Sequence, residues 1–170
     1  MNSSLGSREG DRQAGKAALS NLPYSLMILL GMAALWLALG PEGRTWWAGA
    51  YLAYGLLGPL WIILLLCPHC PSYGHWSCPC GYGVIAARLR PAGDTSRFRV
   101  EFKRHIAVIV PLWIIPLVPG GLALARGFSW TLALVLAAFV LNSYVILPLV
   151  SKRHGCGHCE QREQCPWMKH

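Results

Sequence analysis

Charge is scarce in this sequence, and its scarcity is uneven. Only 13% of the 170 residues are Asp, Glu, Lys or Arg, about half the share of an ordinary soluble domain. No charged residue falls within 17–41, 45–87, 105–125 or 127–151. Helices of a soluble protein alternate polar and apolar faces, so four such stretches exclude that class. Within their apolar parts His and Cys are missing as well. That excludes a haem held by two histidines between spans and an obvious proton relay. It also argues against a soft-metal carrier with ligands near the bilayer midplane. Carboxylates number 7 against 15 Lys and Arg, and no catalytic constellation stands out.

What is abundant is apolar: 54% of the chain is hydrophobic. A run of about 20 apolar residues crosses the roughly 30 Å hydrocarbon core as a helix, and helices satisfy their own backbone where there is no water. The predicted fold class is an all-α integral membrane protein with four transmembrane helices, at about 22–39, 46–66, 106–125 and 130–150. Residues 1–21 read as a disordered polar tail, 67–105 as a cysteine-rich and basic loop, and 151–170 as a cysteine-rich tail. The first span is read as retained rather than cleaved, since no clear small-residue cleavage site follows it.

Basic residues set the orientation. Arg8, Arg12 and Lys16 precede the first span. Arg88, Arg90, Arg97, Arg99, Lys103 and Arg104 lie in the long loop, and Lys152, Arg153, Arg162 and Lys169 in the tail. Arg44 and Arg126 alone lie in the other two connections. The positive-inside rule then places both termini and the long loop in the cytoplasm, with the protein in the cell's inner (plasma) membrane. Trp46, Trp47 and Trp130 fall at the opposite interface, where amphipathic rings are favoured. The net charge of +8 is thus mainly a topology signal, with affinity for anionic lipid as a further reading. The basic residues hug the membrane, so no nucleic-acid partner is expected.

The outer connections are short: Gly40 to Thr45 reads as a turn and Pro119 to Ser129 as a Gly-rich loop. Pro111, Pro116 and Pro119 each remove a backbone donor, so the third span should be kinked, or unwound towards its outer end. Pro59 and Pro148 should bend the second and fourth spans, and Gly55 and Gly58 allow close helix contact. The intramembrane polar residues are few, and Asn142-Ser143 reads as interhelical hydrogen bonding in preference to a substrate site. In the loop, Phe98 and Phe102 are spaced for an interfacial helix over Ser96 to His105. The same stretch alternates polar and apolar residues, which leaves a strand open.

The 7 cysteines carry the chemistry. Four lie in the loop, as Cys67-Pro68-His69-Cys70 and Cys78-Pro79-Cys80. Three lie in the tail, as Cys156-Gly157-His158-Cys159 and Cys165. Each tract leaves the inner end of a span. In a reducing cytosol, paired cysteines point to metal or redox chemistry rather than structural disulfides. Two Cys-x-x-Cys bites complete a tetrahedral site. The candidate ligands are therefore Cys67, Cys70, Cys78, Cys80, Cys156, Cys159 and Cys165, with His154 or His158 as a further ligand. The sulfurs suit one or two centres, and either zinc or an iron–sulfur cluster accepts four thiolates. Arg88, Arg90, Lys152 and Arg153 could neutralise the negative charge of either. Buried, inert cysteines are the bland alternative, disfavoured by their clustering in polar turns.

Resemblances add to this. The tail spacing Cys-x2-Cys-x5-Cys resembles the start of auxiliary-cluster motifs in radical-SAM maturases, and Cys165-Pro166 resembles the Cys-Pro of ferredoxin motifs. Cys67-Pro68-His69-Cys70 resembles the Cys-Pro-His-Cys site of thiol oxidases of the thioredoxin fold, and four-span disulfide-generating membrane proteins also use Cys-x-x-Cys pairs. No strand–helix context surrounds this pair to lower a thiol pKa, and disulfide generators work on the other face of the membrane. Together Cys67 to Cys70, Cys78 to Gly83, Ile109-Val110-Pro111-Leu112-Trp113 and Cys156 to Met168 resemble a group of small cysteine-rich bacterial and archaeal membrane proteins without an assigned activity. That likeness covers most of residues 50–168 and implies the architecture alone. The expectation is a membrane anchor or small electron-transfer subunit that works with a cytoplasmic or membrane protein partner. A membrane thiol–disulfide oxidoreductase is the alternative, and soft-metal handling the third.

Overall fold

The computed structural model describes residues 3–78 and 80–155. Every regular element among them is helical. In chain order these are α1 (Ser3–Ala38), α2 (Pro41–Leu65), a 3-10 turn at Cys67–His69, α3 (Tyr82–Leu89), a 3-10 turn at Thr95–Arg97 and α4 (Phe98–His105). A 3-10 turn at Ile106–Ile109 follows, then α5 (Pro111–Ile114), α6 (Leu117–Arg126), α7 (Trp130–Val140), a π-helical segment at Leu141–Ile146 and α8 (Leu147–Val150). A second π-helical segment, Ser151–Gly155, ends the described chain. Four helical stretches are long and apolar enough to cross a membrane: Gln13–Ala38, Pro41–His69, Thr95–Arg126 and Trp130–Arg153. Leu22, Leu29, Leu56, Leu57 and Leu134 are exposed along them, an apolar surface that suits contact with the lipid bilayer.

Several local expectations change. The first helix begins at Ser3 rather than near Leu22, although residues 1–21 read as a disordered tail. Strong helix formers such as Ala14, Lys16, Ala17, Ala18 and Leu19 extend it. The connection between the first two spans shrinks to Leu39 and Gly40, because the Gly40 carbonyl accepts from the Gly43 and Arg44 amides and Pro41 sits at the first helical position, where its missing N–H costs nothing. The Gly-rich outer loop also shrinks. Pro119, Gly120 and Gly121 belong to α6, which ends only when the Gly127 amide bonds the Ala123 carbonyl at 3.0 Å. Gly120 faces Leu136, whose Cδ atoms would lie 2.8 Å from an added Cβ. Over Ser96 to His105 the helical spacing prevails over the alternating one.

The chain divides into two units. The first gathers the described residues of Met1–Leu22, Trp61–His105 and Leu149–His170, and the second comprises Pro23–Leu60 and Ile106–Pro148. We call them the cysteine unit and the span unit. The core of the span unit is Met27, Ile28, Leu35, Tyr51, Leu112 and Phe139, with a second cluster of Ala34, Leu132 and Leu136.

Prolines interrupt the third span at the 3-10 turn and between α5 and α6, as expected of a kinked span, while the end that could have unwound stays helical to Arg126. Each break has a matching tyrosine. Pro116 has no N–H for the Leu112 carbonyl four residues back, and the Tyr51 hydroxyl donates to that carbonyl at 2.9 Å. Pro59 likewise leaves the Gly55 carbonyl without its helical donor, and the Tyr24 hydroxyl supplies one at 2.8 Å. In the 3-10 register Pro111 would serve Val108, whose carbonyl accepts from the Tyr54 hydroxyl. Non-helical backbone at membrane depth is tolerated only where such partners exist. Gly31 makes room for this, since a Cβ there would sit 2.6 Å from Tyr51 Cζ. Asn142 also bonds between helices, its Nδ2 donating to the Pro23 carbonyl at 2.8 Å.

Candidate metal centre

The loop cysteines belong to the cysteine unit. Pro68 at the first turn favours the 3-10 geometry, and the Cys70 amide closes it on the Cys67 carbonyl at 3.1 Å. From there the backbone folds by short steps. The Tyr73 amide bonds the Cys70 carbonyl at 2.9 Å, the His75 amide the Ser72 carbonyl at 3.2 Å, and the Gly81 amide the Cys78 carbonyl at 3.0 Å. Gly74 and Gly81 adopt left-handed backbone, φ +75° and +72°, which costs a side-chain-bearing residue 1 kcal/mol or more, roughly. Gly83 packs so tightly on the Ser72 carbonyl oxygen that a Cβ would overlap it, and that Cβ would also lie 3.4 Å from Cys78 Cβ.

Cys67 is buried against Ile63 and Ala86, while Cys70, Cys78 and Cys80 are partly exposed. None of the four forms a disulfide. Backbone turns and the Gly83 contact gather Cys67, Cys70 and Cys78 into one compact segment, with Cys80 two residues beyond Cys78. They do not share one ligand shell: among the described residues no group of three or more His, Cys, Asp or Glu is placed to hold a metal ion. Cys156, Cys159, Cys165 and His158 lie outside the described residues, and of His154 only the backbone is described. Of the basic residues expected to offset thiolate charge, Arg90 donates to the Leu64 carbonyl at 3.3 Å, and Arg88, Lys152 and Arg153 are exposed.

The loop is tied down by partners that local spacing did not disclose. Asn21 Nδ2 donates to the Cys80 carbonyl at 3.1 Å and to the Ala17 carbonyl at 2.8 Å. The Gly93 amide bonds the Pro68 carbonyl at 2.9 Å. His69 Nδ1 lies 3.0 Å from the Asp94 carbonyl oxygen. A carbonyl only accepts, so Nδ1 carries the proton and Nε2 keeps the lone pair in the neutral ring. Gly93 makes this possible, because a Cβ there would sit 2.6 Å from Nδ1. Pro91-Ala92-Gly93-Asp94, which interrupts the basic stretch of the loop, is the cradle of the His69 ring. Asp94 is itself held as carboxylate, its pKa lowered by the Ser96 hydroxyl and then by the Ser96 amide.

At the far end of the loop Glu101 is 8% exposed. It bonds His105 Nε2 at 3.2 Å and Arg97 at 3.4 Å. The Trp61 indole N–H donates to His105 Nδ1 at 3.3 Å, which assigns the neutral proton to Nε2, facing Glu101. His105 thus ties α4 to Trp61. No protein-family model, curated protein or solved structure matches the chain.

Proposed function

We propose that this is a multi-pass protein of the inner (plasma) membrane, with both termini and both cysteine tracts cytoplasmic, that binds zinc or an iron–sulfur centre through Cys67, Cys70, Cys78, Cys80, Cys156, Cys159 and Cys165. His154 or His158 is the candidate additional ligand. Its role is that of an anchor or small electron-transfer subunit beside a cytoplasmic or membrane protein partner. One observation carries the reading: four cysteines outside any disulfide are folded by glycine and proline turns into one compact segment, Cys67 to Gly83. Binding a metal ion would deprotonate these thiols and draw them together. Metal sites seldom pre-exist without their ion, because binding and local folding are coupled. Four loop sulfurs that lie near one another without converging are consistent with such a site, as is a site completed by the tail.

A thiol–disulfide enzyme is the second reading, favoured by the closed Cys67–Cys70 turn beside a His69 ring of fixed tautomer. Against it stands the burial of Cys67 at 9% exposure, since thiol exchange needs an accessible thiolate. Anaerobic purification in detergent, followed by elemental analysis and an absorption spectrum, separates the readings. Stoichiometric zinc supports a structural centre, and iron with sulfide-to-iron absorption supports electron transfer. Loss of the metal in Cys67→Ser and Cys78→Ser places it at the loop. Metal-free protein with a titratable Cys67–Cys70 disulfide ends the metal reading in favour of the enzyme.

A further inference from the structure

The fourth span changes helical register in the middle of the span unit. At the end of α7 the Leu141 amide still reaches the Ala137 and Ala138 carbonyls. Six residues later the Leu147 amide reaches five residues back, to the Asn142 carbonyl. The next donor in that register would serve the Ser143 carbonyl, but it is Pro148, which has no N–H. The widened turn therefore carries a carbonyl whose regular donor is missing, and π turns of this kind recur at functional positions.

Two side chains point polar atoms into this turn's surroundings. Asn142 is 2% exposed and Ser143 is 0% exposed. The Asn142 amide nitrogen is committed to the Pro23 carbonyl, and that contact fixes which end of the amide is which, because a carbonyl cannot accept from an oxygen without a proton. Asn142 Oδ1 and Ser143 Oγ are, among the described residues, the buried side-chain polar atoms with no hydrogen-bond partner. The span unit elsewhere meets a missing donor with a tyrosine, at Leu112, Gly55 and Val108.

We propose that the wide turn Leu141–Ile146 binds a water molecule that accepts the Ser143 hydroxyl proton and donates to Asn142 Oδ1. The Ser143 backbone carbonyl is in place to accept its second hydrogen. That makes three hydrogen bonds, the usual number for a buried water. The chemistry selects this guest over others. An anion would find a single hydroxyl donor and an amide oxygen that repels it. A metal cation would have neutral oxygens only, too few to replace its hydration shell. An apolar guest would leave both oxygens unpaired. This inference is independent of the cysteines and of any metal they hold.

Water-edited solid-state NMR on the isotopically labelled full-length protein in lipid bilayers tests it. Magnetisation should pass from water to the Asn142 and Ser143 side-chain signals on the timescale of bound water, while the signals of buried Phe139 stay dark. Ser143→Ala should abolish the transfer to Asn142 and lower the melting temperature. Replacing sodium by potassium or lithium should leave both readouts unchanged. Absence of transfer in the parent protein overturns the proposal. So does a Ser143→Ala protein as stable as the parent or more so, because deleting an unpaired hydroxyl relieves a cost. A melting temperature that follows the choice of cation overturns it too, in favour of an ion.

Discussion

The two units solve opposite problems. In the span unit three carbonyls that prolines leave without a donor are matched from within: Tyr51 to Leu112, Tyr24 to Gly55, Tyr54 to Val108. Lipid offers no hydrogen bonds, so each match must be made by protein. In the cysteine unit the turns are matched by neighbouring backbone and by two left-handed glycines. Its loop cysteines share one compact segment, and among the described residues no group of three or more His, Cys, Asp or Glu is placed to hold a metal ion. The span unit thus supplies its own donors at three proline sites. The other gathers the four loop cysteines in turns.

The sharpest way to break this contrast is Gly83→Ala. The added Cβ meets the Ser72 backbone oxygen, and backbone cannot rotate aside as a side chain can. A cost on the order of 3 kcal/mol, the upper end for overpacking, is expected to fall on the cysteine unit. Limited proteolysis between 67 and 90 should accelerate and metal content should drop, while circular dichroism of the spans stays at the parent level. Equal loss of helix throughout would mean that the two units unfold as one.

Gly31→Ala is the counterpart in the span unit. Its Cβ meets the Tyr51 phenol, which can turn away only by giving up the Leu112 carbonyl. About 2 kcal/mol is expected, the overpacking combined with a lost hydrogen bond. Tyr51→Phe isolates the bond and should cost about 1 kcal/mol, within the range found for hydrogen bonds in membranes. The cycle with Pro116→Ala sharpens the claim. Pro116→Ala restores an N–H to the Leu112 carbonyl, so Tyr51→Phe should cost little in that background. Stability measured by reversible unfolding in mixed micelles reads the difference, and equal costs in both backgrounds would show that tyrosine and proline are unrelated. Tyr24→Phe with Pro59→Ala should behave alike.

The span positions are legible in the charge gaps, because the bilayer punishes every ion placed between 22 and 39 or 130 and 150. The prolines are visible too, and so is their power to break the third helix. Their partners are not. Tyr24, Tyr51 and Tyr54 meet carbonyls 31, 61 and 54 residues away, and no local pattern encodes such a distance. The Gly-rich stretch Pro119 to Gly121 looks like a loop by rules learned in water, where glycine backbone is solvated in place of being bonded. In an apolar setting the unbonded backbone is the greater cost, so α6 continues through it. Asn142-Ser143 is visible as interhelical glue, but its π turn is not, since register shifts leave no composition signal. The four loop cysteines are legible by spacing, whereas His69's cradle depends on Gly93 and Asp94, more than twenty positions on.

The smallest effect is expected where solvent screens the interaction. Asp94 caps the Thr95–Arg97 turn, accepting from the Ser96 amide at 2.9 Å and the Ser96 hydroxyl at 2.7 Å. Both bonds favour the carboxylate and hold its pKa below the ordinary value of 3.8. A carboxyl depressed on folding adds stability above its unfolded pKa, and that stability is lost as pH falls through the folded value. The contribution is therefore intact at neutral pH and disappears only below 3.8. Ser96→Ala removes the hydroxyl and keeps the amide, so it should raise the Asp94 midpoint part of the way back while leaving melting at pH 7 nearly unchanged. The side-chain carboxyl carbon of Asp94, followed by NMR from pH 5 downwards, gives the midpoint. A clear loss of stability at pH 7 would mean that this exposed turn matters to the loop as much as the buried tyrosines matter to the spans, and the contrast between the two units would then rest on Gly83 and Tyr51 alone.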